Sequence, residues 1–143
     1  MISSRLVAMI ENRADELTRG LLAELQRNPR TSGYHKLSVN ELRTRGADVY
    51  RNLGRWLMET AEADIESAYT DLGSRRRQEG IPSSQVVAAL VLTKNHLIEY
   101  VKAAGLAGSA LELYQELELL HLVTQFFDKA VYYTVLGYEQ APP

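Results

Sequence analysis

Residues Ser109 to Glu139, SALELYQELELLHLVTQFFDKAVYYTVLGYE, contain no internal proline and a single late glycine. As a helix this stretch spans about 46 Å, longer than a domain of this size is wide. Two apolar rows run along it. Leu113, Leu117, Leu120, Thr124, Phe127, Val131 and Tyr138 form one; Leu119, Leu122, Val123, Phe126, Ala130 and Tyr133 form the other. Glu118, His121, Gln125 and Asp128 make a narrow polar line between them. A helix apolar over so wide an arc needs more than one neighbour. One row is therefore expected to pack on the chain's own helices and the other on a second copy. The expected dimer interface is Leu119, Phe126, Ala130 and Tyr133, joined by Val49 and Leu53 from an earlier helix.

That earlier helix begins at Ser38-Val-Asn-Glu41, a capping box in which a serine oxygen and a carboxylate satisfy the free amides of a first turn. Val39, Leu42, Gly46, Val49, Leu53, Trp56 and Thr60 then follow a seven-residue pattern, and Gly46 within it suggests close approach of another backbone. The helix is expected to break between Ala61 and Asp64, before a shorter one carrying Ile65, Ala68, Tyr69 and Leu72. Upstream, Leu6, Ile10, Ala14, Leu17, Leu21 and Leu25 predict a helix over residues 4 to 27 that Asn28-Pro29 ends. Residues 30 to 36 read as a loop. Downstream, Gly80-Ile81-Pro82-Ser83 is a turn, and a helix from Ser83 to Ala104 follows. Gly105 is its expected cap, and Ser109 with Glu112 caps the last helix. Ala141-Pro142-Pro143 cannot continue a helix, so residues 140 to 143 read as a frayed tail. No strand-like alternation occurs. The expectation is one all-α domain over residues 1 to 143, with five or six helices.

Composition narrows the function. Lys+Arg 16 against Asp+Glu 18 gives a net charge of -2 and a pI near 5.9, so no basic field is available to draw in nucleic acid or anionic lipid. Charges interrupt every apolar window long enough to span a bilayer, and no membrane segment is expected. The chain contains no cysteine, which fits a reducing compartment, and cytoplasmic placement is the expectation.

Candidate chemistry is sparse. Glu118-Leu-Leu-His121 matches the Glu-x-x-His element of di-iron bundles, but such a site needs a second copy of that element. The residues three before His96 and His35 are Thr93 and Ser32. Glu118 and His121 are thus a weak metal alternative beside a solvated face. The three histidines also raise haem ligation. Arg75-Arg76-Arg77 could grip phosphate, yet it lies at a helix C-terminus, where cations offset the dipole, with Asp71 and Glu79 flanking it. Trp56 and Tyr69 are the candidates for lining a pocket with apolar and polar walls. No nucleophile-base set or phosphate loop has a supporting context, so neither catalysis nor a cofactor is expected.

One order of features carries further meaning: Tyr34-His-Lys-Leu37-Ser38-x-x-Glu41-Leu42, then Trp56-Leu57, then Tyr69-x-x-Leu72-Gly73-x-x-Arg76, then Gly80-Ile81-Pro82 and Val86-Val87-x-Ala89-Leu90. This order resembles the N-terminal sensor domain of RsbR/RsbRD-type RsbT co-antagonists and extends from about Leu6 to Tyr138. The resemblance implies an all-α, globin-like, homodimeric module that supplies signal input to an output domain. That output would be a STAS domain of a stressosome, a histidine kinase or a transcription regulator. Haem-binding relatives carry a histidine where this chain reads Arg75-Arg76-Arg77-Gln78-Glu79, so the resemblance implies a non-haem member. These 143 residues include no output domain, and the expectation is a fragment or a protein acting in trans.

Overall fold

The computed structural model describes residues 4–104 and 108–143. Seven α-helices and one 3-10 helix make up the described chain: α1 (Ser4–Asn12), α2 (Ala14–Arg27), the 3-10 helix (Pro29–Lys36), α3 (Val39–Arg51), α4 (Leu53–Met58), α5 (Glu62–Gln78), α6 (Ser83–Ala104) and α7 (Ala110–Gln140). The all-α bundle with a long last helix is as the sequence predicts. The count exceeds five or six because two expected helices are divided. The first breaks at Arg13, whose amide bonds the Met9 and Ile10 carbonyls. The second breaks at Asn52, whose side chain turns back onto Asp48 at 3.0 Å. The expected loop of residues 30 to 36 is the 3-10 helix, started by the Asn28 side chain accepting from the Arg30 amide at 2.9 Å.

Local signals place most other ends. Ser38 Oγ accepts from the Glu41 amide at 3.3 Å, and Ser109 Oγ accepts from the Glu112 amide at 3.2 Å. Gly80 takes a φ of 77°, a backbone state that glycine enters without a side-chain penalty. The cap expected at Gly105 lies outside the described residues. The tail expected to fray from residue 140 does not begin there, since Gln140 is helical and Ala141 is buried.

A single apolar cluster joins every helix. Ile10, Tyr50, Leu53, Ile81, Leu97, Val101, Leu119 and Val123 have almost no exposed surface, and burying each large apolar side chain favours folding by about 1.5–3 kcal/mol. Within this cluster α5 and α7 form the most extensive helix pair. Near the start of α5, Glu62 meets Lys129 at 3.0 Å and the Tyr133 hydroxyl at 2.9 Å. Near its end the Arg77 guanidinium donates to the Tyr138 carbonyl at 3.0 Å. Between these ties the two backbones touch. A Cβ on Gly73 would lie 2.7 Å from the Tyr138 nitrogen and overlap the Thr134 carbonyl; one on Gly137 would lie 2.7 Å from the Thr70 carbonyl carbon.

The interface expectation needs correcting here. Leu119, Phe126, Ala130, Val49 and Leu53 are all buried within this chain, so they are closed to a second copy while the core is intact. Tyr133 is half-buried and tied to Glu62. An apolar row covered by its own preceding helices has the same pattern as one covered by a partner. Besides Tyr132, α7 leaves open its N-terminal turns, where Leu111, Leu113, Tyr114 and Leu117 are 48–63% exposed. A Cβ on Gly46 would meet the Thr18 side chain at 3.3 Å, and no backbone of another helix is among its nearest neighbours.

Gly73→Ala and Gly137→Ala are each expected to destabilise the fold by about 3 kcal/mol, since backbone cannot yield as a flexible side chain does. The double variant should lose less than the sum, because both methyls open one seam. Urea unfolding midpoints check this; a shift under about 0.5 kcal/mol for either single variant would contradict the close approach.

Candidate functional site

A cavity of about 300 Å³ lies among α2, the 3-10 helix, α3, α4, α5, α6 and α7. Leu21, Leu25, Leu42, Val49, Leu72, Leu90 and Phe127 give it apolar walls, and Trp56 and Tyr69, the two residues singled out in the sequence for a pocket, both line it. Thr44, exposed, and Arg45 and Asp48, half-buried, place its polar edge on α3. The volume falls at the lower end of the range for small-molecule sites.

Aromatic rings set the shape of one wall. Trp56 stands 6.2 Å from Tyr69 and 5.6 Å from Phe126, centroid to centroid, and Phe126 stands 5.2 Å from Phe127. These edge and tilted contacts hold each ring in place. Trp56 is fixed further by its indole N–H, which donates to Asp48 at 3.1 Å. The Asn52 amide and, at 3.7 Å, the Arg55 guanidinium also serve that carboxylate.

The opposite side carries a buried charge. Arg76 is 2% exposed and its guanidinium reaches Glu41 at 3.2 Å and Glu79 at 2.8 Å. It also sits over the Tyr34 ring at 5.3 Å. A buried cation is tolerated only with such partners. Its Nε is the exception, a buried donor with no acceptor among the described residues. Glu41 is shared: Arg45 Nε donates to it at 2.8 Å, while the terminal amino groups of Arg45 make no hydrogen bond among the described residues.

Burial works against ionising these groups, and the partners decide the balance. Burial would raise the Glu41 carboxyl, but hydrogen bonds from Arg45 and Arg76 outweigh it and hold the group below its ordinary value. Burial would likewise lower Arg76, and bonding to Glu79 and Glu41 reverses the sign. Tyr34 is pushed up to about 12 by burial, with Arg76 opposing. Tyr69 is raised by burial and then by the Asp48 charge, so its hydroxyl stays protonated at neutral pH. That hydroxyl makes no hydrogen bond among the described residues.

The other candidates are scattered. Glu118 and His121 lie on the polar line of α7, where His121 is exposed, and no three His, Asp or Glu side chains gather for a metal among the described residues. His35 Nε2 lies 3.2 Å from the Leu25 carbonyl, and the His96 ring packs over Gly20. The three histidines thus sit on different elements. The arginine run is used within the chain: Arg75 reaches Asp71 at 3.6 Å, Arg76 is buried, and Arg77 holds the end of α7. Burial of Arg76 was not readable in a charged triplet, where only a three-residue helical offset from Gly73 hints that it shares the inner face.

A scan against protein-family models gives no match, and searches of curated proteins and of solved structures give none either. No helix among the described residues is long and apolar enough to cross a membrane.

Glu41 makes the site's stability depend on pH. Its folded pKa lies below the ordinary 4.5, so its contribution is fully present above that value and is lost as pH falls through the lower folded value. The side chain is about a quarter exposed, and solvent screening limits the effect. Glu41→Gln is expected to cost about 1 kcal/mol at neutral pH. The gap from wild type should close in acid below pH 4.5, as followed by thermal unfolding; a gap independent of pH would contradict the charge assignment.

Proposed function

We propose that this chain is a non-catalytic sensory or regulatory domain, similar to the N-terminal domains of RsbR-type co-antagonists, that homodimerises and passes a signal to an output domain or protein. One observation carries the reading. Residues on which the resemblance rests, Tyr34, Trp56, Tyr69, Leu72, Arg76 and Leu90, come from four different elements and meet around one cavity.

The cavity also has a route outward. Arg76 faces it, and the next residue, Arg77, donates to the Tyr138 carbonyl and lies 5.6 Å from that ring. The Tyr138 hydroxyl in turn donates to the Ile81 carbonyl at 2.6 Å. A shift of the α5 end on the cavity side is therefore handed to the end of α7, as small displacements pass between packed helices. The output would be a STAS domain, a histidine kinase or a transcription regulator.

Homodimerisation is assigned to the exposed turns of α7. Leu111, Leu113, Tyr114 and Leu117 put three leucines and a tyrosine on two turns of one helix, a patch that two copies can cover by presenting the same face to each other. Light scattering is expected to give twice the mass of the chain, and Leu113→Glu/Leu117→Glu is expected to give the monomer mass with unchanged helix content. A monomeric parent chain, or a dimer unaffected by the double substitution, would overturn this part of the reading.

A further inference from the structure

Several donors around the cavity have no acceptor within the chain. Arg76 Nε is buried with no acceptor, the Tyr69 hydroxyl makes no hydrogen bond, and the terminal amino groups of Arg45 make none, all among the described residues. Asp48, which lines the same cavity, is already engaged by Trp56, Asn52 and Arg55. Glu41 is shared between Arg45 and Arg76, and Glu79 is held by Arg76. Leaving a buried guanidinium donor unmet is unfavourable, so the site is built to receive an acceptor from outside the chain.

The chemistry of the donors indicates what kind. Two of the three are guanidinium groups, those of Arg45 and Arg76, while Arg75 beside them is paired with Asp71 as well as Glu41. A carboxylate is the acceptor that guanidinium donors meet most strongly. Beyond the donors the walls are apolar, with Trp56 and Phe127 presenting fixed rings to a space of about 300 Å³. Rings held edge-on and tilted to one another favour a flat ring in contact with them over a flexible chain, which must lose rotamer freedom to fit.

From these donors and walls we infer that the cavity binds a small aromatic carboxylate, its head met by Arg76 Nε, the Tyr69 hydroxyl and Arg45, its ring against Trp56 and Phe127. This deepens the sensory reading by naming the class of signal molecule, and it rests on that reading's assignment of the cavity as the input site.

Hydrocinnamate is the test probe, with its alcohol and octanoate as comparisons. Trp56 is the sole tryptophan and lines the cavity, so its emission follows occupancy and calorimetry gives the stoichiometry. Hydrocinnamate is expected to saturate at one molecule per chain. The alcohol should bind about tenfold more weakly, as should hydrocinnamate to Tyr69→Phe, which loses only the hydroxyl. Arg45→Gln, at the more exposed edge, should fold normally and weaken binding by a similar factor. Equal binding of the alcohol would overturn the donor assignment, octanoate binding as tightly would overturn the aromatic one, and no saturable binding of hydrocinnamate would overturn the inference. A fluorophore at Glu139→Cys, in a chain otherwise free of cysteine, separates the two readings. Saturable binding with a silent label overturns signalling through α7 and leaves the ligand class standing, whereas a label that responds to octanoate alone does the reverse.

Discussion

The contact between the α5 and α7 backbones at Gly73 and Gly137 is the constraint on which the rest of this fold depends. No side chain separates the two helices there. The seam fixes their spacing more tightly than interdigitated side chains could, because backbone atoms have no rotamer to change. Part of the cavity wall is hung on α5 at that spacing. Tyr69 and Arg76 project from it toward the cavity, and Arg77 projects toward the end of α7. Moving one helix without the other would require opening the seam.

The buried Arg76 is the electrostatic counterpart of that constraint. Its partners come from α3, through Glu41, and from the residue just past α5, Glu79. One charge therefore positions the start of α3, the end of α5 and the Tyr34 ring at the same point. An apolar residue would pack there at lower desolvation cost. A charge kept in the core with one donor unmet costs stability, and the proposed ligand in the adjacent cavity would meet that donor.

Much of the architecture was legible because it is local. The serine caps at Ser38 and Ser109, the break before Glu62 and the uninterrupted run of α7 all follow from residues a few positions apart. The breaks at Arg13 and Asn52 were not legible, since the apolar spacing continues across both. The intended dimer row failed for a related reason: Leu119, Phe126 and Ala130 are apolar at helical spacing whether a partner or the chain's own helices cover them. In the site, Trp56 and Tyr69 stood out as aromatic residues with polar ends. Arg76 and the Gly73–Gly137 pairing did not, because each depends on which distant segment packs against it, and spacing along one helix carries no record of that.

Native-state hydrogen exchange tests the interlocked pair most directly. If α5 and α7 form one body, amides around Thr70 to Arg76 and around Ala130 to Gly137 will exchange through the same opening, with equal free energies and equal dependence on denaturant. Amides of α7 that open at markedly lower free energy while those of α5 stay protected would show the two helices to be independent, and would leave the cavity with no path to the end of the chain.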